Sequence, residues 1–254
     1  MAAHRDGLGA VRATGLSWYF RRVGDRIDEL IREYGPETVE SALRPLLSDE
    51  RVDRLEAVLG ARLWSVTAVF ENLYDPHNGA AALRSIEALG LQEAHVVEAE
   101  ARFSASSAIT IGCEKWITLG RHESMAAASS ALRERGFALY AMLPGAERMV
   151  SEIDPARPAA LVFGNEHAGL TDAAIGVCDD AISLPMYGFT QSFNLSVSVA
   201  LALSVAADLR RGALGRAGDL ETSQRARLRA RWYALGMRGA ETIVSRHVAH
   251  ETRR

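Results

Sequence analysis

Apolar residues recur at helical spacing through the first sixty positions of this 254-residue chain and then give way to short, unbroken apolar runs. Trp18 to Glu33 predicts an amphipathic helix that stops at the Gly35-Pro36 turn signal. Pro36 to Leu47 predicts a second short helix, and Ser48 is placed to cap a third running to about Leu59. From Trp64 the pattern changes. Ser65 to Phe70 is a β-branched run that predicts a buried strand. Asn72 to Asn78 reads as a polar loop around Pro76, and Gly79 to Leu89 as a helix ended by Gly90. Further strands are predicted at Ala94 to Glu98, Phe137 to Met142, Ala159 to Phe163 and Ala181 to Leu184. Helices are predicted at Glu123 to Arg135 and Asn194 to Arg211, and two arginine-rich helices close the chain. Strands alternating with helices predict an α/β fold with a mostly parallel sheet, flanked by N- and C-terminal helices. The boundaries expected are 1–60 for an N-terminal helical extension, 61–211 for the α/β domain and 212–254 for a basic C-terminal helical extension.

Composition adjusts this picture little: 48% hydrophobic and 24% charged residues are ordinary for a soluble globular protein. The most apolar stretch, Val197 to Ala207, is interrupted by serines and too short to span a bilayer, so no membrane partner is expected. Met1 to Phe20 does not read as a secretion signal. The two cysteines, Cys113 and Cys178, stand far apart, and the seven histidines form no ligand spacing. Reduced thiols, no metal and a cytoplasmic location are the expectations. Charge is uneven: residues 61–204 carry 9 basic and 16 acidic side chains, residues 205–254 carry 11 and 5. The tail is where phosphate would be welcome, although a solvated face of arginine-rich helices explains the same numbers.

In an open α/β sheet, ligands bind beyond the carboxyl ends of the strands, which directs attention to the loops after Phe70, Met142, Phe163 and Leu184. Gly164 to Thr171 narrowly misses a phosphate-binding loop: Leu170 stands where lysine is required, so a nucleotide triphosphatase is excluded. No dinucleotide fingerprint or nucleophile elbow is present. Three segments remain: Asn72 to Asn78 with the helix carrying Arg84, Leu161 to Leu170, and Leu184 through Ser198. Singly, each has an ordinary explanation: Arg84 a solvated helix arginine, Glu166 a loop carboxylate, Ser192 and Asn194 helix caps.

Together and in this order they resemble the three motifs of the SPOUT superfamily and, more narrowly, the TrmH family of RNA ribose methyltransferases. The resemblance covers roughly residues 50–211. It includes Arg84 followed by Ser85-Ile86-Glu87-Ala88-Leu89-Gly90, and the Glu114-Lys115-Trp116 stretch. It implies a C-terminal deep trefoil knot over about Ala159 to Arg211, S-adenosyl-L-methionine as cofactor, and a homodimer joined through the 194–211 helix and the helix carrying Arg84. Cofactor-binding positions would be Met142, Gly164, Leu184, Phe193 and Leu195. Catalytic positions would be Arg84, Asn78, Glu166, Ser192 and Asn194, with Arg84 activating the ribose 2′-hydroxyl. A guanidinium stays protonated, so it is a poor general base; electrostatic stabilisation of the developing alkoxide is the alternative role. Two departures stand out: Asp75 where relatives often carry a basic residue, and Phe193 where leucine is common.

The likeness points to enzymes that methylate guanosine 18 of tRNA. Arg225, Arg227, Arg229 and Arg231 would then form a phosphate-gripping surface, with Trp232 packing beneath. Alternatives are a ribosomal RNA methyltransferase, which the helical and acidic segment 1–60 disfavours, and a non-catalytic protein binding S-adenosylmethionine and RNA, which the joint presence of Arg84, Glu166, Ser192 and Asn194 disfavours. A hydrolase lacks a nucleophile–base pair.

Overall fold

The computed structural model describes residues 26–99 and 112–252. They fall into two compact units, Leu63–Asp219 forming one, and the described residues up to Arg62 together with those from Leu220 onward the other. Residues 26–62 and those from Leu220 onward, parts of the two stretches that the sequence presents as separate extensions, thus contribute to one body.

In that helical unit, residues 26–34 form α1; the predicted start at Trp18 lies outside the described residues. Gly35, at φ 80°, turns the chain into α2 (Pro36–Leu43), which tightens into a 3-10 turn over Arg44–Leu46. The Ser48 hydroxyl accepts the N–H of Arg51 at 3.3 Å and caps α3 (Asp49–Gly60), as its position predicts.

The second unit carries β1 (Val66–Glu71), α4 (Pro76–Ala88), β2 (Glu93–Val97), β3 (Thr118–His122), α5 (Met125–Glu134), β4 (Ala138–Met142), β5 (Arg148–Met149), β6 (Ala159–Phe163), α6 (Asp172–Gly176), β7 (Asp180–Ser183) and α7 (Leu195–Leu214). Its seven strands lie in the order β3-β2-β1-β6-β4-β7-β5, every pair parallel. Strand alternation sorts the core into two layers. Val66, Ala68 and Phe70 of β1 join Leu161 and Phe163 of β6 under α4 and α7, where the Phe70 and Phe163 rings stack 5.8 Å apart. Val69, Ala160 and Val162 face the other way, towards Met125, Ala128 and Leu132 of α5 and Ala174 of α6.

Two sequence expectations change here. The loop predicted over 72–78 ends at Asp75, whose carboxylate accepts the His77 N–H at 2.8 Å and caps α4, with Pro76 in the first turn. Proline there has no intrahelical N–H to lose and its φ suits the helix. Asp75 is therefore explained by capping. The strand β3 has no counterpart among the predicted strands: Thr-Leu-Gly-Arg-His is half-exposed at the sheet edge and has no apolar run to announce it.

After Asp219, α8 (Thr222–Leu235) and α9 (Ala240–Glu251) complete the helical unit, whose core joins Val39 and Leu43 to Ala230, Tyr233 and Val244. The expected four-arginine surface on α8 is corrected. Alternate helix positions lie about 200° apart, so Arg225 and Arg229 share one side and Arg227 and Arg231 the other. Arg229 bonds both oxygens of Glu56, one at 2.9 Å, and lies 3.4 Å from Glu40. Its hydrogen bonding raises Arg229 and lowers Glu56. Arg231 lies 3.4 Å from Asp28, while Arg227 is exposed. Trp232 is buried, with the Arg62 guanidinium 5.1 Å from its ring centre, the packing role expected of it.

Candidate active site

The loops leaving the carboxyl ends of β4, β6 and β7, joined by Asn78 of α4, meet around one cavity of about 540 Å³. Each is held by local chemistry. At the end of β1, Asn72 adopts φ 50°, a left-handed conformation that asparagine tolerates better than most residues. Its carbonyl accepts the Asn165 side-chain N–H at 3.2 Å. Asn165 and Gly169 exchange backbone hydrogen bonds of 3.1 and 2.9 Å, and the Asn165 Oδ1 accepts the N–H groups of His167 and Ala168 at 2.6 and 3.1 Å.

Gly164 is required by this knuckle. A Cβ there would stand 2.2 Å from the Gly169 carbonyl carbon and 2.3 Å from the Leu170 nitrogen. The close approach at Gly164 thus comes from the loop's own backbone. Thr171 closes the loop: its N–H and hydroxyl donate to the buried Glu71 carboxylate at 2.9 and 2.7 Å, and the same hydroxyl caps α6. A carboxylate holds the loop where a nucleotide-binding loop would present its lysine.

Of the ten residues singled out from sequence, nine line the cavity: Asn78, Glu166, Ser192 and Asn194 among the proposed catalytic set, and Met142, Gly164, Leu184, Phe193 and Leu195 among the cofactor set. Arg84 does not. It is exposed on α4, and together with Glu87 and Glu114 it acts electrostatically on Cys113, away from the cavity lining. Leu143, Pro144, Asn165 and Met186 also line the cavity and stand outside the sequence-derived set. Asn165 is visible in sequence only as part of a motif; its structural work depends on a partner 93 residues away.

The polar side chains form a chain across the three motifs. The Asn194 Nδ2 donates to Asn78 Oδ1 at 3.0 Å, and the Asn78 Nδ2 donates to Glu166 Oε1 at 3.1 Å. Asn194 also caps α7 through the Ser196 N–H at 2.9 Å while lining the cavity. The other carboxylate oxygen, Glu166 Oε2, is buried and has no hydrogen-bond partner among the described residues. A buried, unsatisfied anion acceptor is costly unless something else satisfies it. The apolar walls of Met142, Leu184 and Leu195 complete a pocket suited to a flat apolar group next to a cationic or hydroxyl-bearing one. Neither cysteine competes as a nucleophile: burial pushes both thiols up to about 11, with Glu114 and Glu87 adding at Cys113 and Asp179 at Cys178.

Residues 65–204, which contain every one of these positions, match the model of the SpoU rRNA Methylase family. This chain belongs to that family. The tRNA (guanosine(18)-2′-O)-methyltransferase of Thermus thermophilus is 37% identical over 157 residues, 61% of this chain and 81% of that protein. The crystal structure of the Aquifex aeolicus TrmH/SpoU tRNA modifying enzyme, 27% identical, superposes with a TM-score of 0.65 over 74% of this chain and 96% of its own. The SpoU methyltransferase AviRb of Streptomyces viridochromogenes, solved with the cofactor AdoMet, shares the fold at 24% identity and a TM-score of 0.54, covering 61% of this chain and 62% of its own.

Proposed function

We propose that this SpoU-family chain is an S-adenosylmethionine-dependent tRNA 2′-O-ribose methyltransferase acting on guanosine 18. The observation that carries this reading is the Asn194–Asn78–Glu166 chain, which ties all three motif segments to one cavity. The relatives' substrate supports the choice of tRNA. A knotted crossing of the chain over 159–211 belongs to the same reading, supported by the convergence of the loops after β6 and β7 on that cavity.

The residues fit the cofactor. Met142, Leu184, Leu195 and Phe193 offer apolar surface for an adenine, and Glu166 offers negative charge for a sulfonium or an ammonium. S-adenosylmethionine supplies a methyl group already activated on sulfur. What the chain must add is alignment and charge stabilisation. Asn78 and Asn194 hold donors and acceptors in fixed register for the ribose. Ser192, exposed at the cavity, adds a hydroxyl. Arg84 would stabilise the negative charge developing on the 2′-oxygen as its proton passes to water.

Arg84 is six positions beyond Asn78 on α4, about 9 Å along the axis and some 240° around it. We therefore propose a homodimer in which a second copy presents Arg84 to this cavity. Val197 and Leu201, at i and i+4 on α7, are each 43% exposed and offer apolar surface to that second copy. No described helix is long and apolar enough to cross a membrane, and a cytoplasmic location follows from the substrate proposed.

The test is methyl transfer from labelled S-adenosylmethionine to unmodified tRNA, to a transcript with guanosine 18 replaced, and to ribosomal RNA. Label on the first alone supports the reading. Label on ribosomal RNA alone favours the second reading, for which the family's own description speaks. Arg84→Ala is expected to lower transfer by about 10³-fold with cofactor affinity unchanged; a fully active variant refutes its role.

A further inference from the structure

Tyr187 and Phe189 are the most exposed large apolar side chains among the described residues, at 97% and 109% of full exposure. They stand on the β7–α7 loop, flanked by residues that line the cavity, Met186 before them and Ser192 after. We propose that these two rings are a stacking platform for the nucleobase of the nucleotide being methylated. This rests on the reading of the site as an RNA ribose methyltransferase.

The argument is geometric and chemical. The 2′-oxygen and the base are attached to adjacent ribose carbons, so a ribose delivered to the cavity brings its base to the cavity mouth. A base lifted out of its stack needs a π surface, which aromatic side chains supply. Gly188 between the rings leaves open space, since a Cβ there would meet only the Thr190 hydroxyl oxygen, at 4.0 Å. Residues 184–194 contain no charged side chain, so nothing on the loop repels phosphate. Thr190, Gln191 and Ser192 make the adjoining surface polar, as suits a wet RNA contact. The aliphatic Val197 and Leu201 on α7 are the better match for a second copy, whose contact needs apolar area without a π face.

The deciding experiment compares full-length protein with the double variant Tyr187→Leu/Phe189→Leu, which keeps apolar bulk and removes both rings. It also includes the double variant Tyr187→Trp/Phe189→Trp, which restores them. The expected result is a loss of about 10-fold or more in tRNA affinity and in kcat/KM for the leucine variant. Cofactor affinity and sedimentation should not change, and the tryptophan variant should recover affinity. Unchanged tRNA affinity in the leucine variant overturns the proposal. So does a loss that follows dissociation into monomers, which makes the rings a subunit contact. A wild-type protein that binds tRNA but transfers no methyl group refutes the enzymatic reading alone, and the affinity comparison still decides the stacking.

Discussion

Glu93 on β2 and Glu166 beside the cavity are both carboxylates in polar networks of the same sheet unit, yet their surroundings differ. Arg135 donates to both oxygens of Glu93, at 2.9 and 2.6 Å, the Trp64 indole N–H joins them, and His95 Nε2 lies 3.1 Å away. His95 in turn meets His122 at 3.0 Å. Burial alone would push the Glu93 carboxyl up; hydrogen bonding by His95 and Arg135 outweighs it and holds Glu93 at about 2. Glu166 receives one hydrogen bond, from Asn78, and its second oxygen is buried without a partner among the described residues. The carboxylate of Glu93 has donors on both oxygens and so stabilises the fold. An open network tolerates an unsatisfied atom where a ligand is to complete it.

The comparison breaks most sharply at Glu93. Glu93→Ala removes the acceptor of the Trp64 indole N–H and of Arg135 and should destabilise the protein by about 2–3 kcal/mol in urea unfolding, while methyl transfer per folded molecule is unchanged. Acid probes the same network without mutation. Because Glu93 is depressed from 4.5, its contribution, roughly 3 kcal/mol, is complete above that pH and is lost as pH falls towards about 2. Burial and His95 also lower His122 from 6.5, so the unfolded chain takes that proton first and stability declines as pH drops below that value. Unfolding midpoints measured from pH 7 downward should fall for wild type and much less for Glu93→Gln. Glu166→Gln should do the reverse of Glu93→Ala: kcat falls about 100-fold, close to 2.7 kcal/mol, with the urea midpoint unchanged. A Glu166 variant that unfolds early would mean its network is structural too. The smallest effect is expected at Gly120, where a Cβ would stand 2.4 Å from His95 Nδ1. Gly120→Ala should cost about 1–2 kcal/mol of stability and leave activity intact.

Much of the site is legible in the amino-acid sequence. Gly164, Glu166, Ser192 and Asn194 sit in segments whose order on an α/β pattern resembles one family, and all four line the cavity. Arg84 is equally legible, but its place outside the lining is not, because sequence order says nothing of which side of α4 faces the sheet's loops. The four arginines of α8 mislead for a related reason: closeness in sequence is not a shared surface, and Glu56 and Asp28 claim two of them. Asp75 looks out of place by charge, whereas its work is capping.

The sequence by itself determined the local order of strands and helices, since period and turn chemistry are written in neighbouring residues. It also determined the family, since the motif residues stand in one order. Only the tertiary structure decided which strands neighbour one another, with β6 inserted between β1 and β4. It alone joined Asn78 to Glu166 and Asn194, 88 and 116 residues away. It alone decided that Glu93 is satisfied and Glu166 is not. Those are matters of long-range packing: a hydrogen bond depends on ångström distances between groups that the chain brings together only after its core has closed.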